Sequence, residues 1–232
     1  RRRQRQMCIR DRSDTNRLEP LGEGLDGHPL WQSVLGHETR RRRPASPLPE
    51  AWAWGLRWSE EHTFRQWVVL ESNREATGWA DHVVTHPAEV NPLVIQGAPG
   101  TGRSHLLHAI GQAMLRGQQG GVVLLRHPAS VSMEDMDAQL PGLDARFSTS
   151  SGLLIDDIDR AVDDGARSRR LHHIIDLAMN LGVQVVVVSE RSPAEWPSNP
   201  LSRLMKEGVV TSMASPGPVS YTHLRAHETI LD

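Results

Sequence analysis

Residues 91–110 read NPLVIQGAPGTGRSHLLHAI, and this stretch decides the fold. The apolar run Leu93–Ile95 predicts a short buried strand, and the three glycines that follow it predict a tight turn. From Ser104 onward, apolar residues recur at helical spacing. A strand, a glycine-rich turn and a helix in this order are typical of a phosphate-binding loop, in which backbone N–H groups and the helix N-terminus face the anion.

One position in this loop departs from the usual GxxxxGK[ST] pattern, because Arg103 stands where lysine is expected. The next residue, Ser104, has the hydroxyl that such loops use to bind Mg²⁺. Arginine also donates to phosphate, but its planar guanidinium is bulkier than an ammonium group and needs a different approach. The loop therefore predicts that ATP or ADP binds and that hydrolysis is very slow.

A second element, Leu153–Asp157, is an apolar run that ends in two aspartates about 50 residues after the loop. In a parallel sheet, strands end at one common edge, so Asp156 is expected near Ser104, where it would bind Mg²⁺ through water. Asp157 could orient or deprotonate a water that attacks the terminal phosphate. The alternative is a strand that ends in a turn with two solvated acids.

The remaining pattern predicts an α/β fold. Gly121–Leu125 and Val183–Val188 are further apolar strands, and a helical apolar pattern between them ends at Gly182. Ser72 and Glu75 form a predicted capping box for an earlier helix that extends to about His86. Strands that are apolar on both faces and alternate with helices indicate a three-layer arrangement with a parallel sheet, as in P-loop NTPases.

Two further sites carry polar candidates. Ser189 and Glu190 follow the fourth strand and would lie near the terminal phosphate, as a sensor or as an ordinary strand-end turn. Arg203 is a candidate arginine finger for the nucleotide of a neighbouring subunit, or a plain surface arginine.

Composition excludes several other classes of protein. The chain has 232 residues, enough for one sizeable core, and no apolar run approaches the roughly 20 residues that a membrane helix needs. A single cysteine excludes an intrachain disulfide and a cysteine-based zinc site. No HExxH or GxSxG motif is present, and the adjacent His172 and His173 would point in different directions on a helix.

Two short segments near the ends of the chain are related through the DNA that could encode them. Residues 7–11 read MCIRD and residues 219–223 read VSYTH, and both can be encoded by DNA strings that are reverse complements. These strings resemble a transposase adaptor used for sequencing libraries. We therefore expect residues 1–13 and 219–232 to be translated adaptor, which would leave the native chain without Cys8.

Between these ends, the sequence divides into two parts. Residues 14–61 contain repeated prolines and no sustained period, which predicts a flexible N-terminal arm. Residues 62–218 are predicted to form the nucleotide-binding domain.

Four segments of this domain resemble the AAA+ domain of the DnaA/Hda family of bacterial replication initiators and regulators, in order and spacing. They are HTFRQWVVLESNREA (62–76), NPLVIQGAPGTGRSHLLHAIG (91–111), LLIDDID (153–159) and VVVVSERSP (185–193). The resemblance covers roughly residues 62–213. Helicase loaders of the DnaC/IstB type share the PGTG loop but are less similar before it.

This resemblance implies a cytoplasmic AAA+ protein with ATP or ADP and Mg²⁺ as ligands and no membrane association. It implies that Asp156 serves Mg²⁺ with Ser104, that Asp157 activates water and that Glu190 is the first sensor. It places residues 68–74 near the adenine. The implied nucleotide contacts are Gly97, Ala98, Pro99, Gly100, Thr101, Gly102, Arg103, Ser104 and His105.

The resemblance also implies a role in replication initiation through nucleotide-dependent association. Ser202–Leu204 is similar to the finger motif of Hda, which promotes hydrolysis of DnaA-bound ATP, so Arg203 would complete the site of a DnaA-type partner or a second copy. The sequence departs from the family at Arg103, and it stops before the helical lid and the DNA-binding helix-turn-helix, so any DNA contact would use regions outside it. The alternatives are a self-sufficient ATPase that acts as a DNA-dependent helicase loader and a degenerate scaffold that hydrolyses no nucleotide.

Overall fold

The computed structural model describes residues 61–117 and 121–215. Both predicted adaptor segments and nearly all of the predicted N-terminal arm lie outside these residues. The strands of the described part are β1 Leu93–Gly97, β2 Gly121–Arg126, β3 Ser150–Asp156, β4 Gln184–Ser189 and β5 Val209–Met213. The α-helices of the same part are α1 Arg74–Thr85, α2 Arg103–Gly117, α3 Met133–Gln139, α4 Leu143–Phe147, α5 Asp159–Val162, α6 Gly165–Asn180 and α7 Pro200–Glu207.

The strands form one sheet in the order β2-β3-β4-β1-β5, and every pair is parallel. β1 lies between β4 and β5, with Val94 opposite Val187 on one side and Val210 on the other. Because all strands run in the same direction, the residues that follow them meet at one edge of the sheet. This arrangement confirms the predicted parallel α/β fold.

Helices cover both faces of the sheet, which is why its strands are apolar throughout. Side chains alternate between faces along a strand, so Leu93 and Ile95 point to one layer and Val94 to the other. Val94 belongs to a continuous buried cluster with residues of α3 to α7, including Phe147 and Ile174. The opposite face packs against α1 and α2. The side chains named here, Leu93, Val94, Ile95, Phe147 and Ile174, are all buried.

Two helix ends illustrate how local sequence sets the boundaries. The predicted stop of α6 is confirmed, since Gly182 has φ +74°, the left-handed conformation that ends helices. The predicted Ser72–Glu75 capping box is not what starts α1. A short 3-10 turn, Glu71–Asn73, precedes the helix, and the Asn73 amide accepts from Leu70 N–H at 2.8 Å while donating to the carbonyl of Val68 at 3.0 Å.

Other elements were absent from the sequence-based prediction. The stretch 127–151, between the second and third predicted strands, contains α3 and α4, for which no helix was predicted. The last two elements, α7 and β5, were also missed. Within the described ranges, no helix combines the length and apolarity required to cross a membrane.

Candidate functional site

The glycine-rich loop connects β1 to α2 at the carboxyl edge of the sheet. Gly100 and Gly102 have φ of +82° and +92°, a conformation that residues with a Cβ rarely adopt. Thr101 closes the turn, because its N–H and its hydroxyl both donate to the carbonyl of Ala98, at 3.4 and 2.9 Å. Ala98 to Gly100 are exposed, and α2 begins at Arg103, so the positive end of that helix faces the loop.

The structure brings Ser104 and Asp156 together, although they are 52 residues apart in the chain. Asp156 is the last residue of β3 and is buried, while Ser104 is exposed in the first turn of α2. The Ser104 hydroxyl donates to Oδ1 of Asp156 at 3.1 Å. The two residues predicted to serve the same cation are therefore direct neighbours.

A hydroxyl and a carboxylate at this distance match the chemistry of Mg²⁺, which binds oxygen ligands and usually keeps several waters and phosphate oxygens. The residues present fit that ion. Asp156 and Ser104 would supply the protein side of its coordination.

Asp157 takes a separate partner. Both Asp157 and His127, which follow β3 and β2 respectively, have positive φ, +55° and +46°. His127 Nδ1 lies 2.7 Å from Oδ2 of Asp157. An ionised carboxylate can only accept, so the imidazole N–H is the donor. Sequence reasoning missed His127, and the available signal was its place directly after a strand that ends at the same edge.

A buried acid, Asp159, holds the backbone at the end of β4. Asp159 accepts the backbone N–H groups of Glu190 and Arg191 at 2.5 and 3.0 Å, and the Ser189 hydroxyl at 3.1 Å. Arg191 forms an ion pair with Asp159 at 3.3 Å and with Asp163 at 3.0 Å. The Glu190 side chain is exposed. Asp159 is the third acid of the LLIDDID stretch, and its role was not predicted from the sequence.

The two predicted cationic residues lie on different helices. Arg103 is half-buried in the first turn of α2, and Arg203 is exposed on α7. Among residues 61–117 and 121–215, neither guanidinium belongs to an ion pair.

His105 contacts the chain segment that precedes α1. Its Nε2 lies 3.1 Å from the carbonyl of Thr63, and its ring stacks on His62 with centroids 4.7 Å apart. Burial lowers the pKa of His105 and that of His108 below the ordinary histidine value, which favours neutral rings beside the loop. His105 thus fastens α2 to the preceding chain segment.

The segment before α1 lies against the loop. A Cβ built on Gly102 would be 3.0 Å from the Trp67 ring, so indole and loop are in close contact. The indole N–H donates to the Thr77 hydroxyl at 3.0 Å, which fixes the ring. Val69, two residues on, is an exposed apolar side chain. Trp67 was not among the predicted site residues.

A five-stranded parallel sheet in this order, with a glycine-rich loop after the interior strand β1 and an acid pair at the end of β3, defines a P-loop NTPase fold of the AAA+ class. The family model described as the bacterial DnaA ATPase domain matches residues 58–211. The chain therefore belongs to the DnaA ATPase domain family.

Known proteins agree with this assignment. The chromosomal replication initiator protein DnaA of Roseiflexus castenholzii is 30% identical over 195 residues, which cover 80% of this chain and 38% of that protein. The crystal structure of domain III of the Thermotoga maritima DnaA has a TM-score of 0.65, with 24% identity and 73% of each chain covered. AMPPCP-bound DnaA from Aquifex aeolicus has a TM-score of 0.59, with 23% identity, covering 67% of this chain and 51% of that one.

These matches differ in what they support. The two solved structures support the fold alone at this identity. The chain spans less than half the length of the curated relatives it matches, between 31% and 42% of each. It is related to replication initiation through the domain that it shares with them.

Proposed function

We propose that this chain binds ATP or ADP and regulates the initiation of chromosomal replication by nucleotide-dependent association with a DnaA-type AAA+ protein or with itself. The observation that carries the proposal is the 3.1 Å contact between Ser104 and Asp156 beside the glycine-rich loop. An unrelated turn would have no reason to bring a loop hydroxyl to a buried strand-end carboxylate.

Phosphate binding would use the loop backbone. The left-handed conformations of Gly100 and Gly102 let successive N–H groups converge, and the N-terminus of α2 adds its partial positive charge. Arg103, without an ion pair of its own in the described ranges, would donate to the terminal phosphates. The exposed Val69 offers an apolar surface for the base next to Trp67.

Ser104 and Asp156 would hold Mg²⁺, which neutralises charge on the phosphates when it is bound. Asp156 is buried at the end of β3, an interior strand of the sheet, so its carboxylate has a fixed position. Ser104 is placed by the first turn of α2. Neither residue needs a loop movement to reach the other.

Two features favour slow hydrolysis. Arginine replaces the lysine that these loops use, and its larger planar group alters alignment at the β- and γ-phosphates. In addition, Asp157, the proposed water-orienting residue, is hydrogen-bonded to His127 at 2.7 Å. Oδ2 of this carboxylate is therefore engaged by the imidazole and is less available to orient a water molecule. Long-lived nucleotide occupancy suits a regulator better than rapid turnover.

Arg203 and Glu190 would act at the boundary with a partner and at the terminal phosphate, respectively. Arg203 is exposed on α7, the helix that precedes β5, and its side chain is accessible to a neighbouring molecule. Glu190 is exposed at the carboxyl edge, and its backbone is fixed by Asp159. These positions support a finger and a sensor role.

Equilibrium binding of fluorescently labelled ADP to the full chain tests the proposal. We expect saturable binding that Mg²⁺ strengthens, and a loss of that strengthening, about tenfold or more, in Asp156→Asn. Asp144→Asn, an exposed acid on α4, is the matched control and should behave like the unaltered protein.

Two results would contradict it. Absence of ADP binding would favour the scaffold alternative. Phosphate release that DNA strongly stimulates would favour the helicase-loader alternative.

A further inference from the structure

Three potential metal ligands lie together at the opposite end of β1 from the phosphate loop. They are His82 near the end of α1, His86 just after it and Glu89 in the following turn. One ligand atom from each lies within 4.8 Å of the others. The turn leads into the amino end of β1, whereas the glycine-rich loop leaves its carboxyl end.

Local backbone structure creates this cluster. Residues four apart lie on the same face of a helix, and the His86 N–H still donates to the carbonyl of His82, at 2.7 Å. The two imidazole rings stack with centroids 5.1 Å apart and an interplanar angle of 22°. A turn, with the Glu89 N–H 3.4 Å from the carbonyl of His86, returns the glutamate to the helix. Glu89 Oε2 is then 3.6 Å from Nε2 of His82.

A neighbouring hydroxyl is placed to orient the His86 ring for metal binding. The Thr85 hydroxyl lies 2.9 Å from the carbonyl oxygen of Asp81 and 2.9 Å from Nδ1 of His86. When its single hydrogen is donated to that carbonyl, the hydroxyl oxygen accepts from the Nδ1–H of His86. In that tautomer the lone pair is on Nε2, the pattern in which an outer hydrogen bond orients a metal-binding imidazole. The His82 ring is positioned instead by edge-to-face packing on Trp79, with centroids 5.8 Å apart.

We propose that His82, His86 and Glu89 bind Zn²⁺ or a similar divalent first-row transition cation, with water in the remaining position. Two imidazole nitrogens and one carboxylate oxygen are a ligand set suited to zinc. Zinc–ligand bonds of about 2.0–2.1 Å place tetrahedral ligand atoms roughly 3.3 Å apart. The 3.6 Å distance between Nε2 of His82 and Oε2 of Glu89 is close to that value. The exposed side chains of His86 and Glu89 can rotate to bring the other ligand atoms to the same separation.

The expected consequence is structural. A cation at this position would tie the end of α1 to the turn that leads into β1, an interior strand of the sheet. Since an unfolded chain does not preform the site, binding would favour the folded state. We expect an affinity in roughly the micromolar range, because only three protein ligands and one outer hydrogen bond are available.

The test is a titration of the chelator-treated full chain with Zn²⁺ in the absence of nucleotide. Calorimetry measures the binding, and thermal unfolding measures the midpoint, Tm, with and without zinc. We expect one saturable site and a rise in Tm of roughly 5 °C at excess zinc. Co²⁺ should produce visible absorption bands of a low-coordinate nitrogen and oxygen site. His86→Ala and Glu89→Gln should each abolish the bands and the rise in Tm.

His173→Ala is the matched control, because it removes another exposed histidine from a helix, α6. It should retain full zinc binding. Equal binding by all three variants, or no saturable binding by the unaltered chain, would overturn the proposal. The nucleotide-binding proposal is unaffected by either result, since the two clusters share no residue.

Discussion

At the scale of single residues, Arg103 is the departure with the largest expected effect on chemistry. Replacement by lysine would restore a compact ammonium beside the phosphates without disturbing α2, because both residues favour helices. We expect Arg103→Lys to raise steady-state phosphate release by about tenfold or more. The measurement is ATP turnover in the presence of Mg²⁺.

Arg116→Lys makes the same chemical change at an exposed position near the other end of α2 and should leave turnover as it was. Brisk hydrolysis by the unaltered chain would show that the guanidinium already aligns the phosphates, and the reasoning about its bulk would then be wrong.

The residue scale also shows where sequence reasoning reaches its limit. The neighbourhood of Ser104 and Asp156 was predictable, because strand ends in a parallel sheet share an edge whatever the side-chain details. The pairing of Asp157 with His127 was not. It depends on two non-glycine residues adopting positive φ, which only the surrounding structure can impose.

At the scale of elements, the same contrast separates β1 to β4 from β5. The four predicted strands are apolar runs buried between two helical layers. Because both of their faces are buried, their residues are almost all apolar, and this made them recognisable in the sequence. β5 lies at the sheet edge, and its residues Val210 and Ser212 are exposed, so its sequence VVTSM resembles a loop as much as a strand. Helices α3 and α4 are seven and five residues long, too short for a clear period.

The junction between α7 and β5 provides a prediction about stability. A Cβ built on Gly208 would be 2.0 Å from the carbonyl oxygen of Pro92, a backbone atom that cannot move aside cheaply. We expect Gly208→Ala to destabilise the fold by about 2–4 kcal/mol in urea unfolding.

Gly78→Ala is the matched comparison, because Gly78 is inside α1 and a Cβ there would meet nothing within 4 Å. It should stabilise the protein by about 0.5–1 kcal/mol, as expected for a helix-interior glycine. Equal effects of the two substitutions would mean that the close approach to Pro92 is absent in solution.

At the scale of the whole molecule, the proposed regulator requires a second AAA+ subunit. Mixed with an ATP-bound DnaA-type protein, the chain should accelerate that protein's ATP hydrolysis, and Arg203→Ala should remove about tenfold or more of the acceleration while leaving the chain's own ADP binding intact. Phosphate release over a range of mixing ratios measures this.

Lys206→Ala, which removes another exposed cation from α7, controls for a general loss of positive charge. A partner's hydrolysis that responds equally to both variants would assign the effect to surface charge rather than to a finger.

The position of β1 in the sheet has a consequence for synthesis. Its two partner strands, β4 and β5, come late in the chain. Leu93 of β1 is opposite Val186 of β4 and opposite Val209 of β5. While the polypeptide emerges from the ribosome, β1 has neither of its two partner strands until about ninety further residues have been added. Its edges stay open to wrong partners for that interval, and nascent chains halted before residue 184 are the ones most exposed to aggregation.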